Sequence, residues 1–367
     1  MRVAIVDPAS TTPPYDHSLA SALARRGHTV DLLTSPFPFG PVPEPVGYRR
    51  EELFLPVSGR ILARNPRSRL RYAVKGLEYV PSVRRLSRRL RELEPDVVHV
   101  QWLALPRLDV RWLRNVAAES PTVFTAHHAL PRDAGVRVDA RRRVYDLVRR
   151  VIVHSRRRVG ELEALGIARE RIAYIPHAVF ESENKGEPTP PSGSTLLFFG
   201  LLRAYKGIDV LVRALPHMPD ARVVVAGDPL DPVEPLQELA RRLGVDARIE
   251  WRLGFLPEQD VAGLMREAAI VVLPYRHTDA SGVLATAIGH GRPAVVTDVG
   301  SLGETVRDFG AGEVVRPDDE RALAEACVRL LDPVRLAAAF EGTRAARMAL
   351  TWDAAAAEHE RVYEAIL

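Results

Sequence analysis

Two basic residues, Arg203 and Lys206, follow an apolar run at residues 195–199 and precede a glycine and a helix-like pattern. The chain contains only 3 lysines beside 48 arginines, so a lysine at this position is more informative than in a lysine-rich protein. The compact ammonium of Lys206 suits one phosphate oxygen, and the planar guanidinium of Arg203 suits another. The stretch predicts a turn that exposes both cations to a phosphate, although a solvated basic turn would have the same composition.

A second candidate anion site lies between residues 274 and 293. A loop that contains Asp279 precedes Ser281, and a helical pattern begins at Gly282 and Val283. Ser281 is expected to cap that helix, so that the free N–H groups of Gly282 and Val283 point outward with the positive end of the helix dipole. Together with Arg203 and Lys206, this helix start would hold a diphosphate from two sides.

Other phosphate and metal motifs are absent from the sequence. No G-x-G-x-x-G follows the first apolar run, no G-x-x-x-x-G-K-[ST] occurs, and no His, Cys, Asp and Glu cluster has the spacing of metal ligands. The sequence therefore disfavours a nicotinamide-dependent oxidoreductase, a P-loop kinase and a zinc hydrolase. We expect neither a metal nor a cofactor.

The positive charge is concentrated in the first half of the chain. Residues 1–183 carry 31 Lys and Arg against 20 Asp and Glu, whereas residues 184–367 carry 20 against 27. The excess peaks from Arg60 to Arg91, where arginines alternate with apolar residues at near-helical spacing. This predicts one or two basic amphipathic helices that face an anionic membrane, an acidic acceptor or solvent. Nucleic acid is not an expected partner, because the region has few aromatic residues to stack on bases.

The cysteine content and the lengths of the apolar runs indicate the cellular compartment of the protein. The single cysteine, Cys327, excludes an intramolecular disulfide, and its apolar neighbours predict a core position. The first residues do not resemble a signal peptide, and no run approaches the roughly 18 apolar residues of a membrane span. We expect a cytoplasmic protein, peripheral to the membrane if the basic region binds lipid.

The first half alternates short apolar runs with helical patterns, as in a parallel α/β domain. Runs at residues 2–7, 28–34, 96–102, 122–128 and 150–155 predict strands, and residues 18–26 and 107–118 predict helices. His99 lies inside a strand, where a core role is expected. Ligands of open parallel sheets bind beyond the carboxyl ends of the strands. The candidates for that edge are Gln101, His127 and His128 at strand ends, and Asp16 and His17 on the first loop.

The second half repeats this architecture after residues 181–194, which are rich in Glu, Pro, Ser and Gly. We predict an N-terminal domain over residues 1–180, a linker over 181–194, a C-terminal domain over 195–348 and a final helix within 349–367. The expected fold class is α/β, with two Rossmann-like doubly wound domains that face each other across a cleft.

Several segments resemble the family-4 glycosyltransferases of the GT-B fold. The second half contributes FFGLLRAYKGIDVLVRAL, VVVAGD, GFLPEQDVAGLMREAAIVVLPY and SGVLATAIGHGRPAVVTDVGSLGETV, and the first half LASALARRGHTVDLLT, PDVVHVQW, TVFTAHHALP and ERIAYIPHAV. They follow one another in the order of the family over nearly the whole chain. The resemblance implies that the C-terminal domain binds the sugar donor, that the N-terminal domain binds the acceptor, and that the last helix crosses back onto the first domain.

The resemblance also implies roles for particular residues. Arg203 and Lys206 match the basic pair at the donor diphosphate, although the family's arginine usually occupies the position of Leu201. Ser281, Gly282 and Val283 match the backbone around the phosphates, and His127 matches a histidine beside the sugar. The loop that usually meets the nucleobase corresponds to Gly254, Phe255 and Leu256.

The chain departs from the family at two glutamates that are eight positions apart. Thr278 and Thr286 occupy those positions, where family members contact the donor sugar and the ribose hydroxyls. Asp279 is one residue from the first position, and Thr286 retains a hydroxyl. Because a carboxylate binds hydroxyls more strongly than a threonine does, we expect altered recognition of the ribose.

The activity implied by the resemblance is transfer of a sugar, of the hexosyl type, from a nucleotide-diphosphate sugar to a hydroxyl acceptor with retention of configuration. A glycan, a lipid-linked glycan and a natural-product aglycone are the acceptor classes considered. The departing phosphate would take the acceptor proton, His127 would orient the sugar, and Asp16, His17, Gln101 and His128 would lie on the acceptor side. Two alternatives remain: a sugar-nucleotide epimerase or hydrolase on the same fold, and a non-catalytic partner subunit.

Overall fold

The computed structural model describes residues 1–61, 69–128, 136–180 and 187–367. The chain forms two compact units, and each is described by itself. Unit 1 contains Met1–Pro176 and Trp352–Leu367, and unit 2 contains His177–Thr351. Each unit has its own cluster of buried apolar side chains. The predicted linker is described only from residue 187 onward.

Unit 1 is built on a parallel sheet. The strands are Arg2–Asp7 (β1), Thr29–Thr34 (β2), Arg49–Glu52 (β3), Val97–Val100 (β4), Thr122–Thr125 (β5), Arg150–Val153 (β6) and Ile172–Tyr174 (β7). Their order in the sheet is β3-β2-β1-β4-β5-β6-β7. The helices between them are Pro13–Arg25 (α1), Arg69–Leu93 (α2), Pro106–Glu119 (α3), Val136–Leu147 (α4) and Arg156–Ala164 (α5).

Unit 2 has the same plan. Its strands are Thr195–Phe199 (β8), Arg222–Gly227 (β9), Ile249–Leu253 (β10), Ile270–Leu273 (β11), Ala294–Thr297 (β12) and Gly312–Val315 (β13), in the order β10-β9-β8-β11-β12-β13. Its helices are Ile208–Ala214 (α6), Glu234–Arg242 (α7), Glu258–Glu267 (α8), Gly282–Gly289 (α9), Gly300–Phe309 (α10), Glu320–Leu330 (α11) and Pro333–Ala349 (α12). The two sheets confirm the predicted α/β class.

The central strands form because their residues are apolar on both faces. β4, β11 and β12 are buried along their whole length, as expected of a parallel sheet covered by helices on both sides. Cys327 on α11 is fully buried in the core of unit 2, as its apolar neighbours predicted. Edge strands are less apolar: β3 has the sequence RREE and contains no fully buried residue. Its pattern did not predict a strand, and neither did the half-buried GEVV of β13.

The first helix begins earlier than the sequence analysis predicted. α1 starts at Pro13, so Asp16 and His17 lie in its first turns rather than on a loop. The pair Pro13 and Pro14 that begins α1 is typical of a turn. Proline is also favoured in the first turn of a helix, where its fixed φ fits and its missing N–H breaks no hydrogen bond.

A basic helix was predicted between Arg60 and Arg91, and α2 confirms it from Arg69 onward. Residues 62–68 lie outside the described residues. Its buried side consists of Tyr79, Ser82, Leu86, Leu90 and Leu93, at helical spacing. Leu77 and Val80, with 79% and 53% of their surface exposed, lie on another face with exposed arginines. No helix in the described part of the chain is long and apolar enough to cross a membrane.

The last helix, Trp352–Glu364 (α13), belongs to unit 1. The Trp352 ring meets Tyr15 of α1 edge-on at a centroid distance of 5.0 Å. Arg26 donates through Nε to a carboxylate oxygen of Glu360 at 2.8 Å. Tyr363 is fully buried. The C-terminal segment therefore contributes side chains to the core of the N-terminal unit.

Candidate active site

The strand order identifies the edge of unit 2 where a ligand would bind. The order reverses between β8 and β11, and ligands of open α/β sheets bind beyond the carboxyl ends of the strands at such a point. The turn after β8 contains Arg203 and Lys206, and the loop after β11 contains Thr278, Asp279 and Ser281. The fold therefore places the predicted basic turn and the predicted helix start at adjacent strand ends.

Lys206 is buried, contrary to the prediction of an exposed turn residue. Only 7% of its surface is exposed, and its Nζ lies 5.1 Å from the centre of the Tyr275 ring. A Cβ at Gly200 would lie 3.0 Å from Lys206 Nζ and 3.0 Å from the Val283 side chain. The turn folds back over the strand ends because Gly207, at φ +68°, approaches the loop after β11 closely. Lys206 thus lies close to Gly200 and Val283, whereas Arg203 is exposed as predicted.

Arg276 joins the two loops. Its guanidinium donates to both carboxylate oxygens of Asp209 at 2.9 and 2.8 Å, to Asp318 at 2.7 Å and to the Ala204 carbonyl at 2.6 Å. Its backbone N–H donates to the Tyr205 carbonyl at 2.8 Å. A bidentate arginine–carboxylate pair fixes direction as well as distance. Arg276 therefore holds the basic turn against the loop that precedes α9.

The start of α9 has the predicted cap. Ser281 has extended backbone angles, and its hydroxyl accepts a hydrogen bond from the Leu284 N–H at 3.3 Å. Gly282 is exposed and Val283 is partly exposed. The capped helix directs its first N–H groups and its positive dipole end toward this edge of the sheet.

Thr278 and Thr286 both donate to backbone carbonyls. The Thr278 hydroxyl donates to Ala280 at 2.8 Å, and the Thr286 hydroxyl donates to Gly282 at 2.9 Å. Each oxygen can then only accept a hydrogen bond from a ligand hydroxyl. Asp279 is buried, and its carbonyl accepts from the Ser301 N–H at 2.8 Å.

The segment predicted to meet the nucleobase follows β10. The Gly254 N–H donates to the Gly227 carbonyl at 3.0 Å, next to the end of β9. Phe255 has 54% of its surface exposed, and Leu256 is partly buried against the core. An exposed aromatic ring at this edge of the sheet is a surface on which a base can stack.

In unit 1, His127 and Gln101 are in contact. Gln101 follows β4, His127 follows β5, and His127 Nε2 lies 2.8 Å from Gln101 Oε1. The Trp102 ring stacks on His127 at 4.8 Å with an angle of 6°, and His128 meets Trp102 edge-on at 5.4 Å. The sequence-predicted Gln101, His127 and His128 are therefore brought together.

Asp16 and His17 lie on α1 of the same unit. Asp16 is buried beside Asp7, and a side-chain hydrogen bond joins the two carboxyls. Burial, then the neighbouring Asp7 charge, raises the pKa of Asp16 well above its ordinary value. Three backbone N–H groups of the loop before α1 hold the carboxylate of Asp7, so Asp16 carries the shared proton. His17 lies 3.1 Å from the Tyr48 hydroxyl, and both line a cavity with Asp16 and Arg50.

Within the described residues, no group of three or more His, Cys, Asp and Glu side chains could hold a metal ion. Arg203, Lys206 and the capped start of α9 bring positive charge to this edge of unit 2. The chemistry that this arrangement can perform is binding and stabilising an anion.

Comparison with known proteins gives the family. The model "Glycosyltransferase Family 4" matches residues 15–182, and the model "Glycosyl transferases group 1" matches residues 193–333. A D-inositol 3-phosphate glycosyltransferase of Xylanimonas cellulosilytica is 30% identical over 73% of this chain and 71% of that protein. The chain belongs to the family-4-like glycosyltransferases. A phosphatidyl-myo-inositol mannosyltransferase of Mycolicibacterium smegmatis is 27% identical, over 100% of this glycosyltransferase and 94% of that protein.

Solved structures show that the glycosyltransferase has the GT-B fold. A sucrose-phosphate synthase from Thermosynechococcus elongatus matches with a TM-score of 0.76 and 20% identity, over 100% of this chain and 98% of that chain. HepE of Anabaena, in complex with UDP-glucose, matches with a TM-score of 0.73 and 15% identity, over 100% of both chains.

Sequence reasoning missed four residues that contact candidate site residues, or the turn that carries them, within one or other unit of this glycosyltransferase. Tyr275 and Arg276 lie just beyond the end of β11, and their position near a strand end was the available signal. Trp102 follows Gln101 in the same way. Asp7 ends β1, but its pairing with Asp16 depends on the early start of α1 and left no trace in local sequence.

Proposed function

We propose that this glycosyltransferase moves a sugar from a nucleoside diphosphate sugar to a hydroxyl acceptor with retention of configuration. The observation that carries the proposal is the position of Lys206, whose buried ammonium lies close to Gly200 and Val283 at the capped start of α9. At this position the ammonium adds its charge to the positive end of the α9 dipole. The diphosphate of a sugar donor is an anion that fits such a site.

The chemistry requires stabilisation of a leaving group. The bond between the sugar carbon and the phosphate oxygen breaks, and negative charge develops on the departing diphosphate. Lys206, the exposed Arg203 and the N–H groups of Gly282 and Val283 stabilise this charge where it forms. The acceptor oxygen bonds to the sugar carbon on the same face, and its proton passes to the departing phosphate. These cations take the role that a metal ion has in other transferases, so we propose metal-independent transfer without a cofactor.

The rest of the donor has candidate partners in unit 2. The base stacks on the ring of Phe255, and Gly254 and Leu256 belong to the same loop. Thr286 accepts a hydrogen bond from the ribose, and the sugar contacts Thr278 and Asp279. The nucleotide in the structurally similar HepE is a uridine diphosphate, which makes UDP-sugars the first donors to test.

The acceptor is a hydroxyl compound that unit 1 binds. The names of two relatives contain an inositol unit, which is a cyclic polyol. His127 and His128 after β5, and Asp16 and His17 at α1, offer hydrogen-bonding groups suited to such hydroxyls. Gln101 is fully buried, and both ends of its amide contact histidines of unit 1. We therefore place inositol and its phosphates first among the acceptors to test.

The exposed face of α2 supports peripheral binding to an anionic membrane from the cytoplasm. Leu77, Val80, Arg84, Arg88 and Arg91 are all exposed and recur every three or four residues, so they share one face of the helix. Apolar side chains beside arginines are the pattern of a helix that lies in a lipid interface. A membrane contact would suit an acceptor carried on a lipid.

The first experiment is calorimetric titration with UDP, GDP, dTDP and ADP, followed by transfer assays with the sugars of the nucleotide that binds. Proton NMR of the early product gives the anomeric configuration, which we expect to match the donor. Turnover of the donor without an acceptor would favour a hydrolase or an epimerase. If none of the four nucleotides bound, the proposal would be overturned.

The membrane contact is tested by sedimentation with phosphatidylglycerol-containing and neutral vesicles. We expect salt-sensitive binding to anionic vesicles, and weaker binding after Arg84→Glu and Arg88→Glu. Arg241→Glu on the exposed side of α7 is the matched control and should bind like the parent. Equal binding of all variants would contradict the assignment to α2.

A further inference from the structure

A chain of hydrogen bonds runs from the last helix to His127. The Tyr363 hydroxyl lies 2.7 Å from His99 Nδ1, and His99 Nε2 lies 3.3 Å from the Gln101 amide nitrogen. At the other end of the same amide, Gln101 Oε1 lies 2.8 Å from His127 Nε2. Thr125 adds its hydroxyl at 2.7 Å from His99 Nε2. The five linked side chains come from α13, β4, the turn after β4, the end of β5 and the loop that follows β5.

The chain is shielded from water. Tyr363, His99, Gln101 and Thr125 are fully buried, and His127 has 9% of its surface exposed. Buried polar groups are nearly always hydrogen-bonded, because an unpaired one loses its water partners without replacement. The direction of each bond therefore follows from which atoms carry hydrogens.

Gln101 determines these directions. Its amide oxygen can only accept, so His127 Nε2 must carry a hydrogen and donate to it. Its amide nitrogen can only donate, so His99 Nε2 accepts from it and from the Thr125 hydroxyl, and the hydrogen of His99 lies on Nδ1, toward Tyr363. Burial lowers the pKa of His99 well below its ordinary value, with contributions from His359 and His154, which keeps that ring neutral and able to accept.

We propose that Gln101 is a positioning residue that keeps the hydrogen of neutral His127 on Nε2, so that Nδ1 carries the lone pair and accepts a hydrogen bond from a substrate hydroxyl. This rests on the proposed sugar-side role of His127. The ring plane is fixed by Trp102, which stacks on it, and by Tyr15, whose ring meets it edge-on at 4.8 Å. His99 and Tyr363 act only through Gln101.

The titratable neighbours of His127 come from several elements. Tyr15 of α1 and His154 after β6 lie with ring centroids 4.8 and 5.2 Å away, and His128 is adjacent in sequence. A carboxylate introduced at position 101 would lie within hydrogen-bond distance of His127 Nε2 and would therefore raise the pKa of His127.

The direct test is NMR of the full chain labelled with ¹⁵N in histidine. The ring nitrogen shifts separate the two neutral tautomers, and His127→Asn and His99→Gln variants assign the two signals. We expect hydrogen on Nε2 of His127 and on Nδ1 of His99. Hydrogen on Nδ1 of His127 would overturn the proposal. This measurement uses no substrate, so its outcome is separate from that of the proposed transferase activity.

Two substitutions then connect the tautomer with activity. Gln101→Glu keeps an acceptor for His127 Nε2 but adds a negative charge. We expect the hydrogen of His99 to move to Nε2, and His127 to keep a second proton up to a higher pH. The acidic limb of the kcat profile should therefore move upward by about one pH unit. Gln101→Met removes the acceptor and is expected to lower kcat roughly tenfold with little change in donor KM.

The control is Gln237→Glu, which makes the same substitution on the partly exposed α7 of unit 2. It should leave the His127 signals and the pH profile unchanged. If Gln101→Glu and Gln101→Met lowered stability alike and neither moved the pH profile or the His127 tautomer, Gln101 would be a packing residue and the proposal would fail.

Discussion

The ammonium nitrogen of Lys206 lies 5.1 Å from the centre of the Tyr275 ring. The lysine ends the turn after β8, and the tyrosine follows β11, so the contact spans the point where the strand order of unit 2 reverses. A desolvated cation over an aromatic face is stabilised by about 2 kcal/mol. The ring therefore helps to hold the buried ammonium near Gly200 and α9 before a donor binds.

Replacement of Tyr275 should reduce activity through the position of Lys206. We expect Tyr275→Leu to lower kcat/KM for the donor roughly tenfold, because the lost contact is worth about 1.4 kcal/mol or more. Tyr275→Phe keeps the aromatic face and should stay within about threefold of the parent. Steady-state kinetics with the identified donor measure both. Equal losses in the two variants would show that the hydroxyl, rather than the ring, is what matters.

Gly207 should be far less tolerant of a methyl group than another glycine with the same backbone angle. Gly207 and Gly244 have φ values of +68° and +65°, so both alanine variants pay for a left-handed conformation. A Cβ at Gly207 would lie 2.0 Å from the Pro274 carbonyl oxygen, whereas nothing lies within 4 Å of one at Gly244. Chemical denaturation should show a loss of about 1 kcal/mol for Gly244→Ala and clearly more for Gly207→Ala. Equal losses would mean that the turn relaxes freely.

Loss of Arg276 should weaken donor binding. Arg276→Gln removes the bidentate pair with Asp209 and the contact with Asp318, so the turn that carries Lys206 is no longer held against the loop before α9. We expect the donor KM to rise roughly tenfold. Arg307→Gln is the matched control, since its pair with Asp298 is about half exposed and worth little. A similar donor KM in both variants would show that Arg276 does not position Lys206 by holding the turn against the loop before α9.

The carboxyl pair of unit 1 should make stability fall as pH rises. Burial raises the pKa of Asp7 and of Asp16 above the ordinary value of 3.8. A carboxyl with a raised pKa in the folded state contributes stability that is present below 3.8 and is lost as pH rises through the folded value. The loss amounts to about 1.4 kcal/mol for each unit of the shift.

Asp16→Asn should remove most of this pH dependence, because the amide donates to the carboxylate of Asp7 at every pH. Urea unfolding of the parent and the variant between about pH 4 and pH 8 measures the difference. Burial raises the pKa of Asp109 to about 6. Asp109 therefore adds a pH dependence of the same sign to the free energy of unfolding of both proteins, and its contribution cancels in the comparison. Parallel curves for parent and variant would mean that the two carboxyls do not share a proton.

The alternation of apolar strands and helices was sufficient to predict two doubly wound units, because each buried strand is apolar on both faces. The strands that the sequence did not reveal, β3, β7 and β13, are sheet edges with little burial, where hydrogen bonds rather than side-chain pattern define the strand. α1 was predicted to start too late, because the same proline pair fits both a turn and a helix start.

The sequence placed Lys206 and Ser281 in the candidate site, because a strand end and a helix cap are local features. It did not reveal the burial of Lys206 or the hydrogen bonds by which Arg276 holds the turn after β8. Both depend on contacts between segments about 70 residues apart in sequence. The Gln101 contact with His127 likewise joins two strand ends that only the sheet brings together.

The central claim is that Lys206 stabilises the charge that develops on the departing diphosphate. Single-turnover transfer rates with saturating donor test it most directly, with Lys206→Ala compared with Arg213→Ala, an exposed charge on α6. The account predicts a loss of roughly 10²-fold or more for Lys206→Ala and a parent-like rate for Arg213→Ala. A folded Lys206→Ala variant that transfers sugar at nearly the parent rate would contradict it.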